Sequence, residues 1–230
     1  DPIRDVFEGV QLLIGEDGVF IFEVHWQKHL IDEGAFDQIY HEHLCFYSFH
    51  AAKYLVEASG MKVFDVEIVP MQGKSLRVYV AKNRPESANV ARILSEERIA
   101  GLTDIETHHS FARTVQTNKE KLLTLLAELK AAGKKIVGYG APAKGNTLLN
   151  YYGLGTETLD YLTDTTSLKQ GLYSPGMHIP IVHPNMLLSD TPDYILLLAW
   201  NFKDAILEKE KHLRDSGVKF IIPVPQAEII

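Results

Sequence analysis

The chain alternates between two kinds of hydrophobic spacing. In VFEGVQLLIG the apolar residues Val6, Val10 and Leu13 fall on one helical face, and Gly15 supplies a stop. After Gly18, VFIFEVHW is a short β-rich run that suits a buried strand. A histidine-rich loop follows, then HAAKYLVEASG reads as a helix closed by Gly60. MKVFDVEIVP and SLRVYVAK form two strands joined by a turn at MQGK. From Asn83 the spacing is helical: PESANVARILSEERIAGL starts near Pro85, and a second stretch carries Phe111, Val115, Leu122, Leu126 and Leu129 up to Gly133. These two helices connect two halves or extend one core.

Beyond Gly133 strands and helices alternate. KKIVGYG, TLDYLTD, DYILLLAW and VKFIIPVP read as strands, while AKGNTLLNYYG and the amphipathic FKDAILEKEKHLRDSG read as helices. Strands that are nearly continuous apolar runs belong to parallel sheets covered on both faces. The prediction is an α/β chain whose residues 134–230 form a small Rossmann-like domain.

Composition narrows the function classes. Of 230 residues, 23 are Lys or Arg and 30 are Asp or Glu, a net charge of −7. That balance argues against nucleic acid as the main partner, because phosphate contacts need clustered cations. No apolar run approaches the ~20 residues of a membrane span, and the first residues lack a secretory pattern. The single cysteine, Cys45, excludes an internal disulfide or a multi-cysteine zinc site and fits a reducing cytoplasm.

Two motifs carry chemistry. GYGAPAKGN, Gly138 to Asn146, follows a strand and opens a helix, with Gly138-x-Gly140-x-x-Ala143 in the dinucleotide fingerprint and Asp164 at the end of the next strand. Glycines let the backbone approach an anion, and a helix N-terminus offers free N–H groups. Tight strand–helix packing is the structural alternative. Pro142 is unusual for an NAD binder, which favours another phosphate-bearing ligand. The second motif, Tyr40-His41-Glu42-His43, lines up proton-transfer groups among aromatic residues. A histidine suits general-base work near neutral pH, and a neighbouring glutamate can orient it. Its spacing is not that of HExxH, and His25 with His29 lack a third ligand, so no metal site is assigned. Packing of an aromatic loop is the plain alternative.

Two weaker stretches complete the set. QGKSLRVYV places Gly73, Ser75 and Arg77 where an anionic ligand could be met, although a hairpin turn is the default. LKQGLYSPGMHIPI sets Lys169, Tyr173 and Ser174 in a loop beyond a strand, where ligand residues concentrate.

Together, FDQIYHEHLCFYSFHAAKYLVEASGMKVFDVEIVPMQGKSLRVYVAK, GYGAPAKGNTLLN, LKQGLYSPGMHIPI and YILLLAWNF resemble the class I S-adenosylmethionine-dependent sugar C-methyltransferases. The resemblance implies a partial class I methyltransferase sheet over 1–83, connecting helices over 84–133 and a Rossmann-like nucleotide-sugar domain over 134–230. It implies C-methylation of a nucleotide-linked deoxy-ketosugar, with thymidine diphosphate as the expected nucleotide and S-adenosylmethionine as methyl donor. His43 matches the family's general base, and Tyr40 and Glu42 its flanking active-site residues. Ser75 and Arg77 fall in the family's Gly-Gly-Ser-x-Arg stretch, where this chain has Gly73 and Lys74. Lys144, Asn146 and Lys169 match motifs that face the nucleotide diphosphate; Gly140 and Tyr173 join them as substrate-site expectations.

The family's N-terminal zinc module and the glycine-rich donor loop have no counterpart in these residues. The sequence therefore reads as starting after the fourth strand of the usual seven-stranded sheet, with an exposed edge suited to homodimer formation. A non-catalytic nucleotide-sugar binding module is the main alternative. An NAD-linked oxidoreductase, favoured only by the Gly138-x-Gly140 motif, is the lesser one.

Overall fold

A computed structural model describes residues 2–70 and 74–230; Met71, Gln72 and Gly73 of the expected turn lie outside the described residues. The chain divides into two compact units, one built from the residues up to Asp32 with Leu44–Phe111, the other from Glu33–His43 with Ala112–Ile230. This partition differs from boundaries at 83 and 133. The helix expected to connect the halves from residue 84 packs into the first unit, and the short segment 33–43 leaves its sequence neighbours for the second.

The first unit comprises α1 (Pro2–Leu13), β1 (Phe20–His25), α2 (Gln27–Asp32), α3 (Phe49–Ala58), β2 (Lys62–Val69), β3 (Ser75–Ala81) and α4 (Ala88–Ile99). Its three strands are antiparallel in the order β1-β3-β2. β1 was expected to be buried; it is an edge strand, with Ile21 half exposed and Phe20, Phe22 and Val24 turned to the core. Among the described residues it pairs on one side only, and Phe7 of α1 covers one face, edge-on to Phe20 and Phe22. In β2 a register shift between Val63 and Asp65 puts Val63 and Val66 inward three positions apart rather than two, after which Ile68 packs on the same core. Val90 and Ile93 of α4 close this core. Ser48 and Ser87 cap α3 and α4 through the amides of Ala51 and Asn89.

α5 (Ile105–Ala131) contributes its first turns to the first unit and the rest to the second. There follow β4 (Ile136–Tyr139), α6 (Ala143–Tyr152), β5 (Leu162–Thr163), β6 (Ile181–Val182), α7 (Met186–Ser189), β7 (Tyr194–Leu197), α8 (Lys203–Lys209), α9 (Lys211–Asp215), β8 (Lys219–Ile222) and β9 (Glu228–Ile229). The sheet order is β6-β5-β4-β7-β8-β9, parallel except for β9. All four residues of β4 are buried, as the continuous apolar runs predicted.

Three details depart from the sequence reading. β6, two residues long, extends the sheet at one edge where loop was expected, and β9, also two residues, extends it at the other edge, where the sequence reading assigned no element. The helix expected over FKDAILEKEKHLRDSG breaks at Glu210, whose carboxylate is buried and accepts from the Tyr139 hydroxyl at 2.7 Å. That long-range bond draws the backbone out of a regular helical path.

Candidate functional site

In the second unit the chain runs outward from β4 to β5 and β6, then crosses back to place β7 on the other side of β4. The order reverses between β4 and β7, and ligands of open parallel sheets settle at such a switch point, beyond the strand carboxyl ends. A crevice of about 340 Å³ lies there, lined by Gly140, Pro142, Asp164, Lys169, Ala199 and Lys209 among others.

The glycines that shape it have separable roles. A β-carbon on Gly138 would come within 2.4 Å of the Leu162 side chain, so that glycine serves strand-to-strand packing. Gly140 has φ of 84°, where a side chain is strained, and it turns the chain out of β4 toward the crevice. The close helix–strand approach belongs to Gly145, whose β-carbon would lie 3.1 Å from Leu198. The motif thus serves both packing and a loop fit for a ligand.

Asp164 braces this loop. Its Oδ2 accepts from the Ala141 amide and its Oδ1 from the Thr166 amide, both at 2.8 Å. Burial alone would raise its pKa; the two amides and Lys169 together pull it below the usual carboxylate value. Lys169 donates to the Ala141 carbonyl at 2.8 Å and reaches Asp164 at 3.4 Å. On the opposite wall Lys209 donates to the Tyr139 hydroxyl at 3.2 Å, and that hydroxyl donates to Glu210. Two ammonium groups therefore border a glycine loop, which suits a phosphate-bearing ligand.

The segment 33–43 forms the other feature of this unit. A 3₁₀ turn over Phe36–Gln38 is anchored by Phe36, whose ring stacks on Tyr152 with centroids 5.2 Å apart. The Asp37 carboxylate, fully buried, accepts from the Trp200 indole at 2.7 Å. Burial raises the Asp37 pKa, opposed by the nearby Lys144 ammonium, the Trp200 indole and the adjacent backbone amides.

From this anchor the expected catalytic loop projects. His43 Nδ1 lies 2.8 Å from the Gln38 carbonyl oxygen, a bond in which the ring nitrogen donates. That assigns the neutral ring a proton on Nδ1 and leaves the lone pair on Nε2. The Tyr40 ring packs against the imidazole with centroids 4.2 Å apart. Partial burial, then the charges of Glu42 and Asp37, raise the Tyr40 pKa, which keeps its hydroxyl a donor. Glu42 itself is exposed. Tyr40, Glu42 and His43 are thus neighbours on one loop.

The remaining expected residues are distributed more widely. Lys144, the second residue of α6, has its ammonium 3.9 Å from the centre of the Trp200 ring and does not line the crevice. Asn146 lies one turn into the same helix. Tyr173 is 65 % exposed and pairs as an isolated bridge with Pro180. Ser174 is buried and accepts from the Ile179 amide, a turn-closing role. Ser75 and Arg77 belong to the first unit. Ser75 is buried opposite His25, and Arg77 sits in register between Glu23 and Glu67, 3.5 and 2.9 Å from their carboxylates. Among the described residues no cluster of three metal-ligating side chains is present, and no helix is long and apolar enough to cross a membrane.

Sequence reasoning passed over Asp37, Trp200, Lys209 and Glu210. Asp37 and Trp200 were visible as polar or amphipathic residues inside apolar surroundings, FDQI and LLLAWNF, but their pairing spans 163 positions.

Two comparisons bear on this arrangement. Residues 70–225 match the family described as the C-methyltransferase C-terminal domain. The chain is also 37% identical over 234 aligned positions to the C-methyltransferase NovU of Streptomyces niveus, an alignment covering 99% of this chain and 55% of NovU. It thus spans about half the length of that relative. With a crevice at the switch point and this degree of likeness, the chain belongs to the C-methyltransferase C-terminal domain family.

Proposed function

We propose that this chain is the base-supplying and nucleotide-sugar-binding portion of an S-adenosylmethionine-dependent C-methyltransferase. The observation that carries the reading is the His43 imidazole, held by Nδ1 on a backbone carbonyl with Tyr40 beside it, in the same unit as a lysine-bordered switch-point crevice. In this reading the three-stranded sheet of the first unit is the closing part of a class I methyltransferase sheet.

The crevice holds the diphosphate of a nucleotide-linked deoxy-ketosugar, with thymidine diphosphate the preferred nucleotide and Lys169 and Lys209 the cations. His43 Nε2 removes a proton from the carbon next to the sugar ketone, and the Tyr40 hydroxyl donates to the enolate oxygen that develops. S-adenosylmethionine supplies an electrophilic methyl group on a sulfonium. No described residue is assigned to that donor: the first unit's strands are antiparallel and offer no switch-point crevice. The work of these residues is positioning, proton removal and exclusion of water.

His43→Ala in the methyl-transferring enzyme tests the base. Methyl transfer is expected to fall sharply while nucleotide-sugar affinity is kept, since a transition-state interaction lowers rate rather than ground-state binding. Intact activity would place the base elsewhere. Calorimetric titration of the chain with thymidine diphosphate and, separately, S-adenosylhomocysteine tests the division of labour; binding of S-adenosylhomocysteine would sink it.

A binding module without catalysis is favoured by the crevice alone, and the same His43→Ala assay separates it. The NAD reading is weakened because both carboxylate oxygens of Asp164 already serve the loop amides. Nicotinamide cofactor bound with a fluorescence change would restore it.

A further inference from the structure

Asp37 and Lys144 are two buried charged side chains that both meet Trp200, and packing alone does not explain them. Lys144 stands in the first turn of α6, the positive end of the helix dipole, where a cation is disfavoured. Its Nζ is buried and, among the described residues, has no hydrogen-bond partner; the Trp200 ring lies against it. Asp37 is fully buried, and its Oδ1 is likewise without a partner among the described residues. Apolar residues of similar volume usually replace such a pair without loss of stability. What the pair holds in place is therefore the informative question.

The contacts lead to the base. Trp200, three residues beyond the end of β7, donates its indole N–H to Asp37 Oδ2. Asp37 and Gln38 share one 3₁₀ turn, and the Gln38 carbonyl accepts both from the Tyr40 amide at 3.1 Å and from His43 Nδ1 at 2.8 Å. Burial raises the Asp37 pKa, and the Lys144 ammonium opposes that rise only in part. We propose that Asp37, clamped by Trp200, is the positioning residue of the His43 loop: it fixes the Gln38 carbonyl, and through it the His43 tautomer that presents Nε2. This rests on the reading of His43 as the base, and it goes beyond that reading by placing the control of the base on the sheet of the second unit.

The test uses Asp37→Ala, Asp37→Asn and Trp200→Phe. Asparagine keeps an acceptor for the indole, and phenylalanine keeps a ring under Lys144 while removing only the N–H. Nitrogen-15 spectra of His43 in the chain are expected to show the Nδ1–H tautomer in the parent protein. In Asp37→Ala and Trp200→Phe the balance moves toward Nε2–H, and in the enzyme kcat falls by about 10²-fold with KM for the nucleotide sugar nearly unchanged. Asp37→Asn recovers the tautomer and most of the rate. An unchanged His43 tautomer in folded Asp37→Ala, or in Trp200→Phe should the alanine variant not fold, overturns the proposal. Full activity in His43→Ala would instead remove the base reading, and the tautomer result would still decide the positioning role.

Discussion

The indole N–H of Trp26 donates to the carboxylate of Glu97 at 2.7 Å, across 71 positions. Glu97 is buried on α4, and the same carboxylate accepts from the Phe49 amide at 2.5 Å and the His50 amide at 3.0 Å, the free donors at the start of α3. One side chain thus ties three segments of the first unit. Glu97→Ala leaves two buried donors and one part-buried donor unsatisfied and is expected to destabilise the unit by about 3 kcal/mol, with Glu97→Gln roughly half as damaging. Urea unfolding measures both, and equal midpoints for all three proteins would show that the carboxylate is dispensable.

Lys74 has φ of 92°, a conformation that L side chains rarely adopt. In the Gly-Gly-Ser-x-Arg stretch that this segment resembles, the position before Ser75 is a glycine, and the Lys74 backbone takes a conformation suited to glycine. Lys74→Gly is expected to raise stability by up to about 1 kcal/mol, the strain relieved exceeding the added chain entropy. A lower thermal midpoint in the glycine variant would contradict this.

Burial pushes the Lys144 ammonium down to about 8, against the attraction of Asp37. In the unfolded chain the same group titrates near its ordinary value of 10.5. Below pH 8 both states are protonated and the burial penalty is complete. Between about 8 and 10.5 the unfolded chain binds more protons, so this residue's contribution to stability rises with pH. The full rise is on the order of 3 kcal/mol. Comparing the parent protein with Lys144→Met by denaturant unfolding at pH 7.5 and 9.5 reads the difference; parallel pH dependence in both proteins would mean that Lys144 titrates normally.

The crevice separates three lysines by function. Lys169→Ala and Lys209→Ala are each expected to weaken thymidine diphosphate binding by roughly 5-fold, the effect of one partly solvated ammonium on a phosphate. Lys169 carries an additional effect because it also holds the Ala141 carbonyl. Lys144→Met is expected to change this affinity little, since its ammonium faces Trp200 and Asp37. A loss confined to Lys144→Met would return that lysine to the diphosphate, where the family motif first put it.

Much of this molecule was legible in the order of its residues. KKIVGYG, DYILLLAW and VKFIIPVP announced the parallel strands because a strand buried on both faces must be apolar throughout. GYGAPAKGN announced a loop between strand and helix, and Tyr40, Glu42 and His43 fell within one turn of backbone, so their proximity needed no tertiary contact. Burial and local spacing are written along the chain, and periodicity reads them.

Other features were decided only by folding. The two-residue strands β6 and β9 are too short to carry a period, and the break before α9 follows from Glu210 meeting Tyr139 71 positions away. The departure of residues 33–43 to the second unit, and with it the pairing of Asp37 with Trp200 and Lys144, likewise depends on partners far off in sequence. A buried polar group must find a partner, but the chain does not state which one. That choice is made by the geometry that brings strand ends, helix termini and loops together.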